Sequence, residues 1–132
     1  GRSRAIEKEE LSQWIEDRIG ISELDIISEY GMSELSSQGY NGIAGRQKFR
    51  SSRNQDYFQF PHWTRVQIIS PETGLECVQG ETGLIRILDL ANIKSVSMIE
   101  TQDLGEIGDS GLILHGRSSE AEPKGCSLQS SE

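Results

Sequence analysis

The sequence predicts an α+β fold, in which an N-terminal helix and one strand lead into a small antiparallel β-sheet or barrel. Three observations point there. Leu11, Trp14, Ile15 and Ile19 recur at helical spacing inside "IEKEELSQWIEDRIGI", with acidic residues early and Gly20 as a stop. From Trp63 onward the pattern changes to short apolar runs separated by Gly- and Pro-containing turns. Between these halves, residues 35–56 are rich in Gly, Ser, Asn and Gln and read as a long loop.

Taken in order, the helix is followed by "LDIISEY", a short strand by its β-branched residues, with Tyr30 at its tip and glycine directly after. The long loop comes next. "WTRVQIIS" places Thr64, Val66 and Ile68 on one face, "PETG" (71–74) supplies a turn, and "GLIRILDL" is the next strand. "SVSMIE" and "GLILHG" read as two more. The final "RSSEAEPKGCSLQSSE" is Ser- and Glu-rich, the composition of a disordered tail. The expected organisation is an α/β region over 1–62, an antiparallel β region over 63–117 and a flexible tail over 118–132. Trp14 and Trp63 are expected as core anchors and Cys77 as a small buried hydrophobe. One strand followed by a loop of this kind usually belongs to a larger sheet, so the chain reads as the C-terminal part of something longer.

Composition narrows the function. A chain of 132 residues suits one domain and buries a sizeable core. With 13 basic against 21 acidic residues the net charge is −8, which disfavours nucleic acid as a partner. Two cysteines without paired spacing, and no secretory pattern, fit a reducing cytoplasm. The apolar runs are a few residues long, too short for a membrane span.

The stretch "ISEYGMSELSSQGY" (27–40) carries the chemistry. Tyr30 offers a flat face for a purine, and Gly31 lets backbone approach a ligand. Ser33 can donate to a phosphate oxygen, and Glu34 is a hard oxygen ligand of the kind Mg²⁺ takes beside substrate phosphates. The plain alternative is a strand ending in an ordinary turn. Three later stretches add to the first. "GETGLIRILDLANI" ends in Asp89 and Asn92; "TQDLGEI" puts Asp103 just after a strand, where its carboxylate can accept from ribose hydroxyls; "LHGRSS" puts the Arg117 guanidinium after the next strand. Arg46, Lys48, Arg50 and Arg53 interleave with aromatics, but in an acidic chain they read as a solvated or pyrophosphate-facing loop. His62 and His115 lack zinc-ligand spacing with the cysteines; His62, beside Trp63, reads as packing.

The ordered set "YGMSE", "GETG", "TQDLGE" and "HGR" resembles the adenylate-forming superfamily of acyl-CoA synthetases, adenylation domains and beetle luciferase. More narrowly, "EYGMSELSSQGY", "DLANIKSV" and "KGCSL" look like the acyl-protein synthetase branch, the fatty-acid-activating component of the bacterial bioluminescence fatty-acid-reductase complex and its relatives. The resemblance runs from Ile21 to Leu128. It implies activation of a fatty or other carboxylic acid with ATP and Mg²⁺, then transfer to a thiol and onward to an acyl-transfer partner protein, a reductase or transferase. By the resemblance Tyr30 stacks on adenine, and Gly31 and Met32 line its pocket. Ser33, where the superfamily more often has threonine, contacts the adenylate phosphate; Glu34 helps hold Mg²⁺; Asp103 and Arg117 take the ribose. Cys126 is the implied thioester acceptor, with Lys124 nearby to favour the thiolate; otherwise it is an inert thiol.

The chain also departs from the pattern. Gln102 stands where relatives often have glycine or glutamate, and the hinge acid falls at Ser119 or Glu120. "QGETGL" has the glycines of a phosphate loop without its lysine. The acyl-binding half and the lid with its catalytic lysine are not in this sequence, so the chain by itself is expected to be inactive. Two other readings stay open: a ligase that uses coenzyme A as acceptor, and a non-catalytic module that binds nucleotide or a partner protein.

Overall fold

The computed structural model describes residues 6, 8–46, 48–50 and 55–118, and the fold is α+β as the sequence predicts. Helix α1 spans Lys8–Ile19, with Glu9 and Glu10 at the positive end of its dipole and Arg18 in its last turn. Two short strands, β1 (Glu29–Tyr30) and β2 (Gly39–Tyr40), pair antiparallel. The larger sheet is an open antiparallel meander in the order β3 (Thr64–Ile69), β4 (Gly83–Asp89), β5 (Met98–Ile107) and β6 (Leu112–Arg117). The predicted "PETG" turn is present: the Gly74 N–H donates to Ser70 O at 2.8 Å, and Gly74 takes a positive φ of 70°.

The core lies on one face of this meander. Gly83, Ile85, Ile87 and Asp89 are the buried positions of β4, alternating as a strand with one covered face must. Ile85 and Ile87 are wholly buried, and Ile68 and Leu112 flank them. Each such side chain contributes about 1.5–3 kcal/mol relative to exposure. Tyr30, Leu35 and Phe58 close the cluster from the other side, with Phe60, Cys77 and Val66 packed against it. A bridge pairs Phe58 with Leu112 on the β6 edge, so the 27–60 segment and the sheet share one core.

Four expectations need correction. "LDIISEY" is a strand only at Glu29–Tyr30; before it Ser22 caps a 3₁₀ turn, Glu23–Asp25, its hydroxyl accepting from the Leu24 N–H. The apolar character of Ile26 and Ile27 reflects partial burial, and β2 offers only two residues to pair with. Second, the predicted strand "SVSMIE" begins at Met98 and runs on through "TQDLGEI" as β5, because β4 and β6 between them pair both its halves. Asp103 therefore lies within a strand rather than after one. Third, the two tryptophans are not core anchors. Trp14 is 45% exposed on a helix whose apolar stripe faces outward, with Arg18 over its ring, and Trp63 is 43% exposed. Fourth, the 35–56 loop is broken up: it contributes β2 and single bridges from Tyr40 to Gln59 and from Arg50 to Asp56.

Candidate functional site

Strands β1, β5 and β6 each bring one predicted residue to a common point. The antiparallel register sets Asp103 opposite Arg117, and their side chains approach to 4.0 Å between Oδ1 and Nε. Tyr30, 73 residues from Asp103 in sequence, donates its phenolic hydrogen to Asp103 Oδ2 at 2.8 Å. The Asp103 N–H donates to Thr101 Oγ1 at 3.1 Å, and Thr101 donates to Ile85 O at 3.0 Å, which fastens this part of β5 to the core strand. Burial holds the Tyr30 phenol well above the ordinary tyrosine range; Thr101 opposes that rise, and the neighbouring Asp103 adds to it. Tyr30 is thus a neutral donor at any working pH, and Asp103 keeps Oδ1 free of that bond.

The Tyr30 ring is 7% exposed, edge-on to Phe60 and tilted against Phe58. Gly39 makes this cover possible: a Cβ there would stand 2.5 Å from Phe60 Cε2. The broad aromatic face suggested by the sequence is therefore largely covered in this structure, and the hydroxyl is the group turned toward polar partners. Gly31 lies against Gln38, and Met32 packs on the core.

Ser33 and Glu34 form the exposed corner of a turn closed by the Leu35 N–H on Met32 O at 3.0 Å. Ser33 Oγ donates to Glu34 Oε2 at 3.1 Å, and the polar partners of Asp103 are Tyr30, Thr101 and Arg117 instead. Among the described residues no group of three or more His, Cys, Asp or Glu is gathered to hold a metal. A single exposed carboxylate beside a hydroxyl suits Mg²⁺ carried in on phosphates better than a metal caged by protein alone.

Two residues whose role sequence reasoning did not assign stand behind this turn. Asp89, wholly buried, accepts from the Ser36 N–H (3.1 Å), the Ser37 N–H (2.9 Å), Ser37 Oγ (3.0 Å) and the Ala91 N–H (3.0 Å). Asn92 donates to Glu34 O (2.6 Å) and Val96 O (3.0 Å) and accepts from Ser36 Oγ (2.7 Å). A signal was available: Asp89 continues the alternation of Gly83, Ile85 and Ile87, so a carboxylate on that face has to find donors inside the protein.

Two of the basic residues of the loop have acidic partners. Lys48 pairs with Glu23 at 3.1 Å, and Arg50 approaches Asp56 at 3.7 Å. They line an open cleft of about 570 Å³ with Lys8, Asp56 and Phe58, and among the described residues none of the predicted site residues borders it. The candidate site therefore rests on convergent polar groups rather than on this cleft. Cys126 and Lys124, with Ser119 and Glu120, lie outside the described residues.

No protein-family model matches the chain, and no match to a curated protein was found. Among solved structures the chain is similar to the luciferase-like enzyme of the nonluminescent mealworm Zophobas morio, at 15% identity and a TM-score of 0.54. The likeness is one of fold. It covers 88% of this chain and 30% of the mealworm enzyme. A second similar structure is an ATP-bound RpMatB-BxBclM chimera, at 20% identity and a TM-score of 0.48, over 70% of this chain and 20% of the chimera. The chain thus spans a third or less of the proteins it resembles in structure. No helix among the described residues is long and apolar enough to cross a membrane.

Proposed function

We propose that this chain is part of an ATP-dependent, AMP-forming acid–thiol ligase of the acyl-protein synthetase kind. The observation that carries the reading is the meeting of Tyr30, Asp103 and Arg117. Three separate sequence motifs supply them as nucleotide residues, and Tyr30 and Arg117 both adjoin Asp103, at 2.8 and 4.0 Å. The fold shared with a luciferase-like enzyme supports it.

In this reading Asp103 Oδ1 accepts from the ribose hydroxyls, while Tyr30 holds the other oxygen and keeps the carboxylate turned outward. Arg117 adds a donor fork on the same side. Gly31 and Met32 line the adenine side. Ser33 donates to the phosphate, and Glu34 helps hold the Mg²⁺ that neutralises charge on the phosphates. An oxygen of the substrate carboxylate bonds to the α-phosphorus as the bond to pyrophosphate breaks. The thiolate of Cys126 then attacks the acyl carbon and AMP leaves, giving a thioester that a partner reductase or transferase discharges. Holding carboxylate and phosphate in line is the main contribution asked of the protein.

The test uses the full-length protein with Cys126→Ser and Glu34→Gln made separately, incubated with ATP, Mg²⁺ and a radiolabelled fatty acid. The wild type is expected to keep hydroxylamine-labile label, the serine variant to make acyl-adenylate without keeping label, and the glutamine variant to make neither. Labelling that requires coenzyme A and survives loss of Cys126 selects the coenzyme A ligase instead. No label and no pyrophosphate with any acid leaves the non-catalytic binding module.

A further inference from the structure

We propose that Asp89 and Asn92 are positioning residues that set the Ser33–Glu34 turn from behind; the consequence for catalysis rests on the ligase reading above, whereas the clamp itself does not. Asp89 is a wholly buried carboxylate satisfied by three N–H donors and one hydroxyl, all at 2.9 to 3.1 Å. Burying an anion without donors is prohibitive, so Ser36 and Ser37 are held where their N–H groups point at Asp89. Ser37 Oγ also accepts from Trp63 Nε1 at 2.9 Å, which explains why Trp63 sits at the rim and not in the core. Asn92 then reaches two residues further and donates to the carbonyl of Glu34 itself.

The outcome is a turn fixed on its hidden side and open on the other. Leu35 is buried in the core, Glu34 O is bonded to Asn92, and the Ser33 and Glu34 side chains are left facing solvent. A carboxylate that meets a metal–phosphate complex has to be placed within about half an ångström, and groups behind the contacting residue supply that placement. The charge on Asp89 matters as well as its shape, because every partner it has is a donor.

Asp89→Asn in the full-length protein is the first variant. It keeps the side-chain volume but turns an NH₂ toward donors. Hydrogen exchange by mass spectrometry is expected to show faster exchange in peptides covering 33–37, with β4 and β5 still protected. Pyrophosphate release is expected to fall roughly 10- to 100-fold, the usual effect of losing a residue that orients a metal-binding group. That loss should appear as a lower kcat and a higher half-saturating Mg²⁺ concentration, with little change in KM for the acid. If Asp89→Asn loses protection throughout the sheet, Asn92→Ala is the deciding variant, since it frees Glu34 O and leaves all four Asp89 bonds in place. Unchanged exchange in 33–37 overturns the clamp. Faster exchange with unchanged kcat and Mg²⁺ dependence overturns its catalytic role. If the wild type releases no pyrophosphate with any acid, the ligase reading has failed, and the exchange result alone still decides the clamp.

Discussion

The meander β3–β6 and the segment 27–60 are fastened by different kinds of bond. The meander is an antiparallel ladder, with one register shift in each of its β4–β5 and β5–β6 pairs, over apolar packing with Ile85 and Ile87 wholly buried at its centre. Among the described residues the segment has two strands of two residues each, and besides Tyr30, Leu35 and Phe58 in the shared core it is fastened by buried polar side chains. Asn41, wholly buried, accepts from the Ser28 N–H at 2.7 Å and donates to Asp56 at 2.9 Å. Asp89 and Asn92 do the same for the next stretch. Apolar contacts tolerate small shifts, whereas a buried hydrogen bond fixes a distance and a direction. On the proposed reading, the part of the molecule that has to aim side chains is the one that uses the second kind. Damage to the meander is therefore expected to be global, and damage to the segment local.

The sharpest way to break the comparison is Ile87→Ala. Removing most of a wholly buried side chain from the central strand is expected to cost about 2–5 kcal/mol, with protection lost across β3, β4 and β5 together. Denaturant unfolding with hydrogen exchange reads both. If protection is lost only near residue 87, the meander is not one cooperative unit and the contrast fails.

Tyr30→Phe sharpens the contrast from the other side, because Tyr30 belongs to both systems. Its ring packs in the core and its hydroxyl reaches Asp103. Phenylalanine keeps the packing, so the expected stability cost is only that of one hydrogen bond, about 0.5–1.5 kcal/mol. On the proposed ligase reading the effect on nucleotide is larger in proportion: Asp103 loses the donor that orients it, and ATP affinity, read by equilibrium binding to the full-length protein, is expected to fall several-fold. Equal ATP affinity in the two proteins would mean that Asp103 is aimed by the strand alone.

How much of this was legible in the sequence follows the same division. Alternation and turn chemistry are local, so the strands of the meander and the Gly74 turn could be read directly. Tyr30, Asp103 and Arg117 could be named from motifs, but their meeting depends on the Asp103–Arg117 register and on a contact across 73 residues. The extent of β5 departs from the sequence reading because "TQD" has a loop-like composition, whereas β4 pairs Glu100 before it and Leu104 after it across a register shift, and β6 takes up Asp103. Trp14 and Trp63 lie outside the core because size and hydrophobicity alone do not decide burial. The outward stripe of α1 and the indole N–H bond to Ser37 are tertiary facts. Asp89 was legible in position, as the next member of a buried alternation, but its partners were not.

The smallest effect concerns Asp56, which anchors the segment to α1. Burial works against its ionisation, yet the Lys8 ammonium at 2.6 Å, the Asn41 amide and the Arg50 guanidinium together hold its carboxyl below the usual carboxylate range. In the unfolded chain that carboxyl titrates near 3.9, so the unfolded state binds more protons just around and below that pH. The stabilisation is fully present above the unfolded value and is lost as pH falls through the lower folded one. Lys8 is 43% exposed, which keeps the ion pair's share under about 1 kcal/mol. Asp56→Asn is expected to lower stability slightly at neutral pH and to flatten the acid limb of the stability curve, while Lys8→Met flattens it less because Asn41 and Arg50 remain. An acid limb that keeps its full slope in Asp56→Asn would shift the anchoring of this segment from Asp56 to the Asn41–Ser28 bond alone.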